Sequence, residues 1–182
     1  MDDTKAREFS CPYAKHPTTS NPAQSEPALK TIYIDADGCP VKDETYRVAE
    51  RYNFTVTLVA NHWLRTPNVP WISTIIVESG LDRADDYIAE RAGTGDITIT
   101  ADIPLADRCV KAGALAISPH GKLFTTQTIG DALATRNLMT SLREAHQVTG
   151  EFSGGQKPFN KQNRAQFLQT LDQAASKIHR SY

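Results

Sequence analysis

The chain has 182 residues and a formal net charge of −1, a length that suits one domain able to bury a core without disulfides or structural metal. Its three cysteines (Cys11, Cys39, Cys109) include no CxxC pair and its five histidines no zinc-site spacing, which excludes a secreted disulfide scaffold and a zinc finger. No apolar run approaches the roughly 18–20 residues that span a bilayer, and the N-terminus lacks a signal peptide's hydrophobic stretch, so a cytoplasmic protein with no membrane partner is expected.

Residues 1–30 hold Pro12, Pro17, Pro22 and Pro27 among Ser, Thr, Asn and charge, with no apolar periodicity. They read as a flexible tail. From Thr31 onward strand and helix patterns alternate. Thr31–Asp35 (TIYID) is β-branched and aromatic, hence a strand, and a helix over Val41–Tyr52 follows Pro40. Strands are expected at Thr55–Ala60 and Ser73–Glu78, then an amphipathic helix over Asp82–Ala92 and a strand over Asp96–Thr100. A helix over Ile103–Ala112, a strand over Ala114–Ser118 and a helix from about Thr128 to His146 complete this stretch. Strands separated by helices of this length imply βαβ units. The fold class expected is a three-layer α/β sandwich with a mainly parallel central sheet.

After Gly150 come a loop and a basic amphipathic helix from about Gln162 to Ile178. Residues 31–150 carry 11 Lys/Arg against 15 Asp/Glu, whereas residues 151–182 carry 5 against 2. The division expected is a tail (1–30), an α/β domain (31–150), and a basic loop and helix (151–182) packed on that same domain.

In open α/β sheets the site lies beyond the carboxyl ends of the strands. The first strand ends in Asp35-Ala36-Asp37, the DITIT strand runs into Asp102 with Asp107 a turn further on, and the helix between carries Asp85 and Asp86. Like charges brought this close repel, and unpaired burial is costly. A hard divalent cation with oxygen ligands, Mg²⁺ or Mn²⁺, answers the acidic excess better than zinc does, and suits phosphodiester hydrolysis. Structural roles compete residue by residue: Asp37 in shaping the turn at Gly38, Asp102 as a helix N-cap. Asp82, Asp86 and Glu90 form a solvated i, i+4 stripe, whereas Asp85 borders Ile88, Ala89 and Ala92 on the sheet side, which makes it the better ligand.

Other signals are weaker. Gly154-Gly-Gln-Lys157 is rejected as a P-loop because Pro158 stands where Ser or Thr is needed. The helix after Pro40 is an anion seat beside Asp35 and Asp37, and Cys39 reads as a small turn residue. Trp63 and Trp71 are offered to base stacking, with core packing preferred.

IYIDADGCPVKDETYRVAERY, VAN at 59–61, ADDYIAERA, ITITADIPLAD and the GGQKPF loop together resemble the YaiI/YqxD family of bacterial proteins, from about Thr31 to about Leu171. The resemblance implies a PIN-like fold whose acidic residues bind Mg²⁺ or Mn²⁺ for endonucleolytic cleavage, often of RNA. It implies Asp35 at the end of the first strand, Asp85 on a helix, and Thr100-x-Asp102 with Asp107 after a later strand.

The resulting expectation is a metal-dependent nuclease. Asp35, Asp85, Asp102 and Asp107 hold the metal, Asp37 assists by ligation or by orienting water, and Lys42, Thr100, Lys157, Lys161 and Arg164 meet the substrate. Its partner is nucleic acid, RNA ahead of DNA, and a homo-oligomer stays open. The alternatives are a haloacid dehalogenase-type phosphatase with Asp35 as nucleophile, suggested by Asp35-Ala-Asp37-Gly38, and a PIN-like module that binds RNA or protein without cutting.

Overall fold

The computed structural model describes residues 30–78, 80, 82–146 and 159–181. The elements in chain order are β1 (Thr31–Asp35), α1 (Lys42–Tyr52), β2 (Thr55–Ala60), β3 (Ile72–Ile76), α2 (Arg83–Ala89), β4 (Ile97–Ile99), α3 (Ile103–Lys111), β5 (Leu115–Ile117), β6 (Leu123–Phe124), α4 (Ile129–His146) and α5 (Lys161–Arg180). Six strands build one sheet in the order β3-β2-β1-β4-β5-β6, with β6 antiparallel to β5 and every other pair parallel.

Strand order reverses between β1 and β4. Chain order runs outward through β2 and β3 on one side of β1 and through β5 and β6 on the other. A crevice opens at the carboxyl ends of two strands whose connections leave in opposite directions. The register that sets this crevice pairs Ile34 with Ile99 across β1 and β4, and Asp35 with Val59 across β1 and β2.

Alternation along β1 separates the layers. Ile32 and Ile34 face a core made with Val48 and Ala49 of α1 and Phe167, Leu171 and Ala175 of α5, while Tyr33 points to the other side. There Ala84 and Ile88 of α2 pack with Leu105 and Cys109 of α3. α4 is layered on α3 through Ala106, Val110, Ile129 and Ala132. The result is a three-layer α/β sandwich, as the alternation of strands and helices predicts.

Differences from the sequence reading are local. β6 was not expected; two residues after a turn at Gly121 are too few to show a period. β4 is shorter than DITIT because the Asp96 carboxylate turns away to accept from the backbone N–H groups of Thr31 (2.9 Å) and Gly93 (3.0 Å). α2 ends at Ala89 rather than Ala92. α1 stops because Asn53 adopts a left-handed conformation (φ 56°) and returns its N–H to the last turn.

α5 lies beside α1 and runs parallel to it. Arg164 meets Glu44 near both starts, and Arg51 and Tyr52 meet Asp172 further along. Lys30 Nζ donates to the carbonyl of Ile178 (3.0 Å). The rest of the expected tail and the loop at 151–158 lie outside the described residues. Among the described residues no helix is long and apolar enough to cross a membrane.

Candidate functional site

Asp35 ends β1 and faces Thr100, the residue after β4. Thr100 Oγ1 donates to Asp35 Oδ2 at 2.8 Å and accepts from the backbone N–H of Asp102 at 2.9 Å. One hydroxyl therefore joins the two strands across the point where strand order reverses. Asp102 caps α3, its Oδ1 accepting from the N–H of Leu105 at 2.8 Å, with Pro104 in the first helical turn. The capping role is thus real. It engages one carboxylate oxygen; among the described residues Oδ2 takes no hydrogen bond.

Asp85, in the first turn of α2, completes the group. Burial pushes its carboxyl up to about 6, with Asp35, Asp102 and Asp82 adding to the rise and Arg108 opposing it. Asp35 is likewise raised, first by burial and then by Asp37 and Asp102, against the Thr100 hydrogen bond. Asp85 therefore feels the charge of Asp35 and Asp102, and Asp35 that of Asp102. Asp86 is exposed and pairs with Arg108 (2.8 Å), so the guanidinium that opposes the rise of Asp85 already has a partner. Asp85 is half-buried and Asp86 exposed, as the helical spacing predicts.

Asp107 is placed otherwise. Its Oδ2 accepts from Lys111 Nζ at 2.7 Å, one turn along α3, and it is not among the groups that raise Asp35 or Asp85. Asp37 stands at the rim, a third exposed, 3.3 Å from Nδ1 of His62. Gly38 beside it takes φ +77°, which lets the chain turn from β1 into α1.

His62 was missed because it lies 25 residues from Asp37 in sequence. The signal was available: it follows β2, which lies next to β1, so both chains leave the sheet at the same edge. Trp63 corrects the preference for core packing. It is 73% exposed, since the chain has left the sheet and the core behind β2 is already filled by Leu58 and Val59. Trp71 does pack against the core, edge-on to Tyr46 with centroids 6.5 Å apart. Cys39 is buried, and burial pushes its thiol up to about 11, which leaves it protonated and unreactive near neutral pH.

Among the residues expected at the substrate, Thr100 is in the centre and Lys42 opens α1 directly after the Asp35–Pro40 turn. Lys161 is the first residue of α5. Arg164 does not face solvent alone: its guanidinium donates to Oε1 of buried Glu44 at 2.8 Å. Lys157 lies outside the described residues.

The centre's donors are carboxylate and hydroxyl oxygens, which suit a hard cation and not zinc. Among the described residues no three His, Cys, Asp or Glu side chains are gathered as a ready ligand cage. Mg²⁺ does not need one. It keeps several waters and is bound through one or two carboxylates with the substrate's phosphate completing the shell. Asp102, with one oxygen capping α3, and Asp35, fixed by Thr100, fit that requirement.

Residues 33–177 match the family described as "Uncharacterized BCR, YaiI/YqxD family". A "UPF0178 protein" of Rhodopseudomonas palustris (strain TIE-1) is 57% identical over 153 residues, 84% of this chain and 94% of the relative. A "UPF0178 protein" of Nitrobacter winogradskyi is 56% identical over 150 residues, 82% and 93% of the two chains. No solved structure matches the chain.

Proposed function

The chain belongs to the YaiI/YqxD family, and from that premise we propose that it is a Mg²⁺- or Mn²⁺-dependent nuclease that cleaves phosphodiester bonds in RNA. The observation that carries this reading is the Thr100–Asp35 hydrogen bond across the β1/β4 reversal, which aligns Asp35 with Asp102 while Asp85 approaches from α2. Asp35 and Asp102 add to the rise of the Asp85 carboxyl, and Asp102 to that of Asp35, a repulsion that favours uptake of an external cation.

In this reading Asp35, Asp85 and Asp102 hold the cation. When bound, such an ion lowers the pKa of a coordinated water and offsets charge on the phosphoryl oxygens. Thr100 fixes Asp35 through Oδ2. The Leu105 N–H fixes Asp102 through Oδ1. Asp37 and His62 face each other at the rim, with Oδ1 and Nδ1 3.3 Å apart. Exposed Trp63, adjacent to His62, offers a flat surface on which an unpaired base stacks. Asp107, paired with Lys111, has the weakest claim to the centre.

The test is an incubation of labelled single-stranded RNA and DNA with Mn²⁺, Mg²⁺ or EDTA, beside Asp102→Asn and with a generic phosphatase substrate in parallel. Asn is as good a helix cap as Asp, so Asp102→Asn keeps the bond to Leu105 while removing the charge. Cleavage of RNA with either metal, none in EDTA, and a loss of about 100-fold or more in the variant are expected. Equal cleavage by the variant, or none in any metal, defeats the proposal. Turnover of the phosphatase substrate with phosphate trapped on Asp35 would favour the phosphatase instead.

A further inference from the structure

The chain between β2 and β3 is braced along its length yet leaves its largest side chain bare. At its ends the Val77 N–H donates to the carbonyl of Ala60 (3.0 Å) and the Ile72 N–H to that of Val69 (3.2 Å). Within it, Leu64 packs on the core shared by β1, α1 and α5, and the hydroxyls of Thr66 and Thr74 lie 3.3 Å apart. Pro67 and Pro70 fix their own φ and disfavour helical backbone at Thr66 and Val69. Exposure alternates from Trp63 to Pro67: Leu64 and Thr66 turn inward, whereas Trp63, Arg65 and Pro67 turn out. Alternation of this kind puts Trp63 and Arg65 on one face, about 7 Å apart along the chain.

Neither outward side chain is used by the fold. Trp63 is 73% exposed and in no ring contact among the described residues. Arg65 is exposed, and among the described residues it has no ion pair or hydrogen bond. A Trp ring left in water forgoes the burial that usually places it. Here Leu64 is anchored on one side, and His62 on the other has Nδ1 3.3 Å from Asp37 Oδ1, so the ring is held in solvent at a fixed place. That place is the rim of the carboxylate centre, and Arg65 follows His62 within about 11 Å of backbone.

Two demands follow for an occupant: a free planar face for Trp63 and an anion for Arg65. Paired bases in a duplex have their faces covered by neighbouring pairs, whereas an unpaired base leaves one open and brings a phosphate with it. A proline-rich peptide meets only the first demand. Such peptides also dock in grooves lined by several aromatic rings, and no second Trp, Tyr or Phe is exposed among the described residues.

We propose that residues 62–65 form a docking strip for single-stranded nucleic acid, in which an unpaired base stacks on Trp63 and an adjoining phosphate pairs with Arg65. The strip selects unpaired over paired strands and leads the strand past His62 to the carboxylates. That destination rests on the nuclease reading, whereas the strip's own chemistry does not.

The test is fluorescence anisotropy of the full chain in EDTA, where no cleavage is expected, with a labelled RNA of about ten nucleotides, its DNA counterpart and the duplex of each. Single strands should bind about 10-fold or more tightly than duplexes of the same sequence. Trp63→Ala should lose about 10-fold in single-strand affinity. Trp63→Tyr should regain most of that loss and Trp63→Leu should not, since only a ring stacks. Arg65→Gln should reduce the slope of log affinity against log salt by about one, and Arg65→Lys should keep it. Both positions are exposed, so the variants should fold as the wild type does, which circular dichroism checks. Equal binding of single strand and duplex, unchanged affinity in Trp63→Ala, full rescue by Trp63→Leu, or an unchanged salt slope in Arg65→Gln would each overturn the proposal. So would binding of a polyproline peptide with no binding of either single strand. A wild type that binds the strand in EDTA but cleaves none with Mg²⁺ or Mn²⁺ would sink the nuclease reading and leave the strip standing. Cleavage by the wild type, with Trp63→Ala binding the strand equally well, would do the reverse.

Discussion

Asp85 is held where its charge is unwelcome. Its carboxyl, raised to about 6 by burial and by Asp35 and Asp102, lies above the ordinary unfolded value of about 3.9. The native state therefore binds the proton more tightly than the unfolded chain. The stability this group contributes is full below about pH 4 and is lost as pH rises through about 6. At pH 7.5 without metal the ionised carboxylate opposes folding. Asp85 is only half-buried, so solvent screening reduces the effect to roughly 1 kcal/mol, or about 2–4 °C in Tm for a chain of this size. Asp85→Asn in EDTA should melt above the wild type by that amount at pH 7.5, with the gap closing toward pH 4.5. A lower Tm for the variant at pH 7.5, or a gap independent of pH, would show that the strain is absent.

The same scale shows what was legible. Asp35 and Asp102 were readable because each follows an apolar run that ends at the sheet's carboxyl edge, and Asp85 because helical spacing puts it on the opposite side from the Asp82–Asp86–Glu90 stripe. His62 and Glu44 were not. Glu44 looked like a charged first-turn residue of α1, and its burial depends on Arg164, 120 positions away. Trp63 is a large apolar residue outside the core, and composition alone favoured the opposite placement.

Among the elements, α5 is not placed by a strand connection, since no strand follows it. Polar contacts help to anchor it: Glu44–Arg164, Arg51 and Tyr52 on Asp172, Lys30 on Ile178, and the turn before β6, where Thr170 Oγ1 donates to the carbonyl of Gly121 at 2.9 Å. Gly121 takes φ +85°, and a Cβ there would meet backbone atoms of Gln166 and Phe167 at 2.7 Å. Backbone on backbone cannot yield as a flexible side chain does. Gly121→Ala should therefore lower Tm by roughly 5–10 °C, from 2–3 kcal/mol of left-handed strain and lost docking. A change below 2 °C would mean that α5 does not bear on that turn. The basic character of α5 was visible in sequence, and so was its amphipathic face; which surface it covers was not, because the contacts that seat it are all long-range.

Taken whole, the molecule puts opposite charges at one edge of one sheet. The carboxylates of β1, α2 and the β4–α3 turn stand at the reversal of strand order, and the parallel starts of α1 and α5 bring Lys42, Arg47 and Lys161 alongside. In the proposed function, a polyanion guided by the second group delivers a phosphate to the first. The alternation of strands and helices made the layers and the carboxyl edge predictable. Ordering the helices around that edge required the packing of α5 on α1, which no local pattern encodes.

All of this turns on whether the carboxylates at the β1/β4 reversal attract a divalent cation. Direct titration of Mn²⁺ into the metal-free protein, followed by electron paramagnetic resonance of the free ion, decides it. The wild type should take up one or two ions per chain at neutral pH, and Asp102→Asn, whose helix cap is preserved, should bind at least 10-fold more weakly. No uptake by the wild type up to millimolar Mn²⁺, or equal uptake by the variant, would contradict a metal centre formed by Asp35, Asp85 and Asp102.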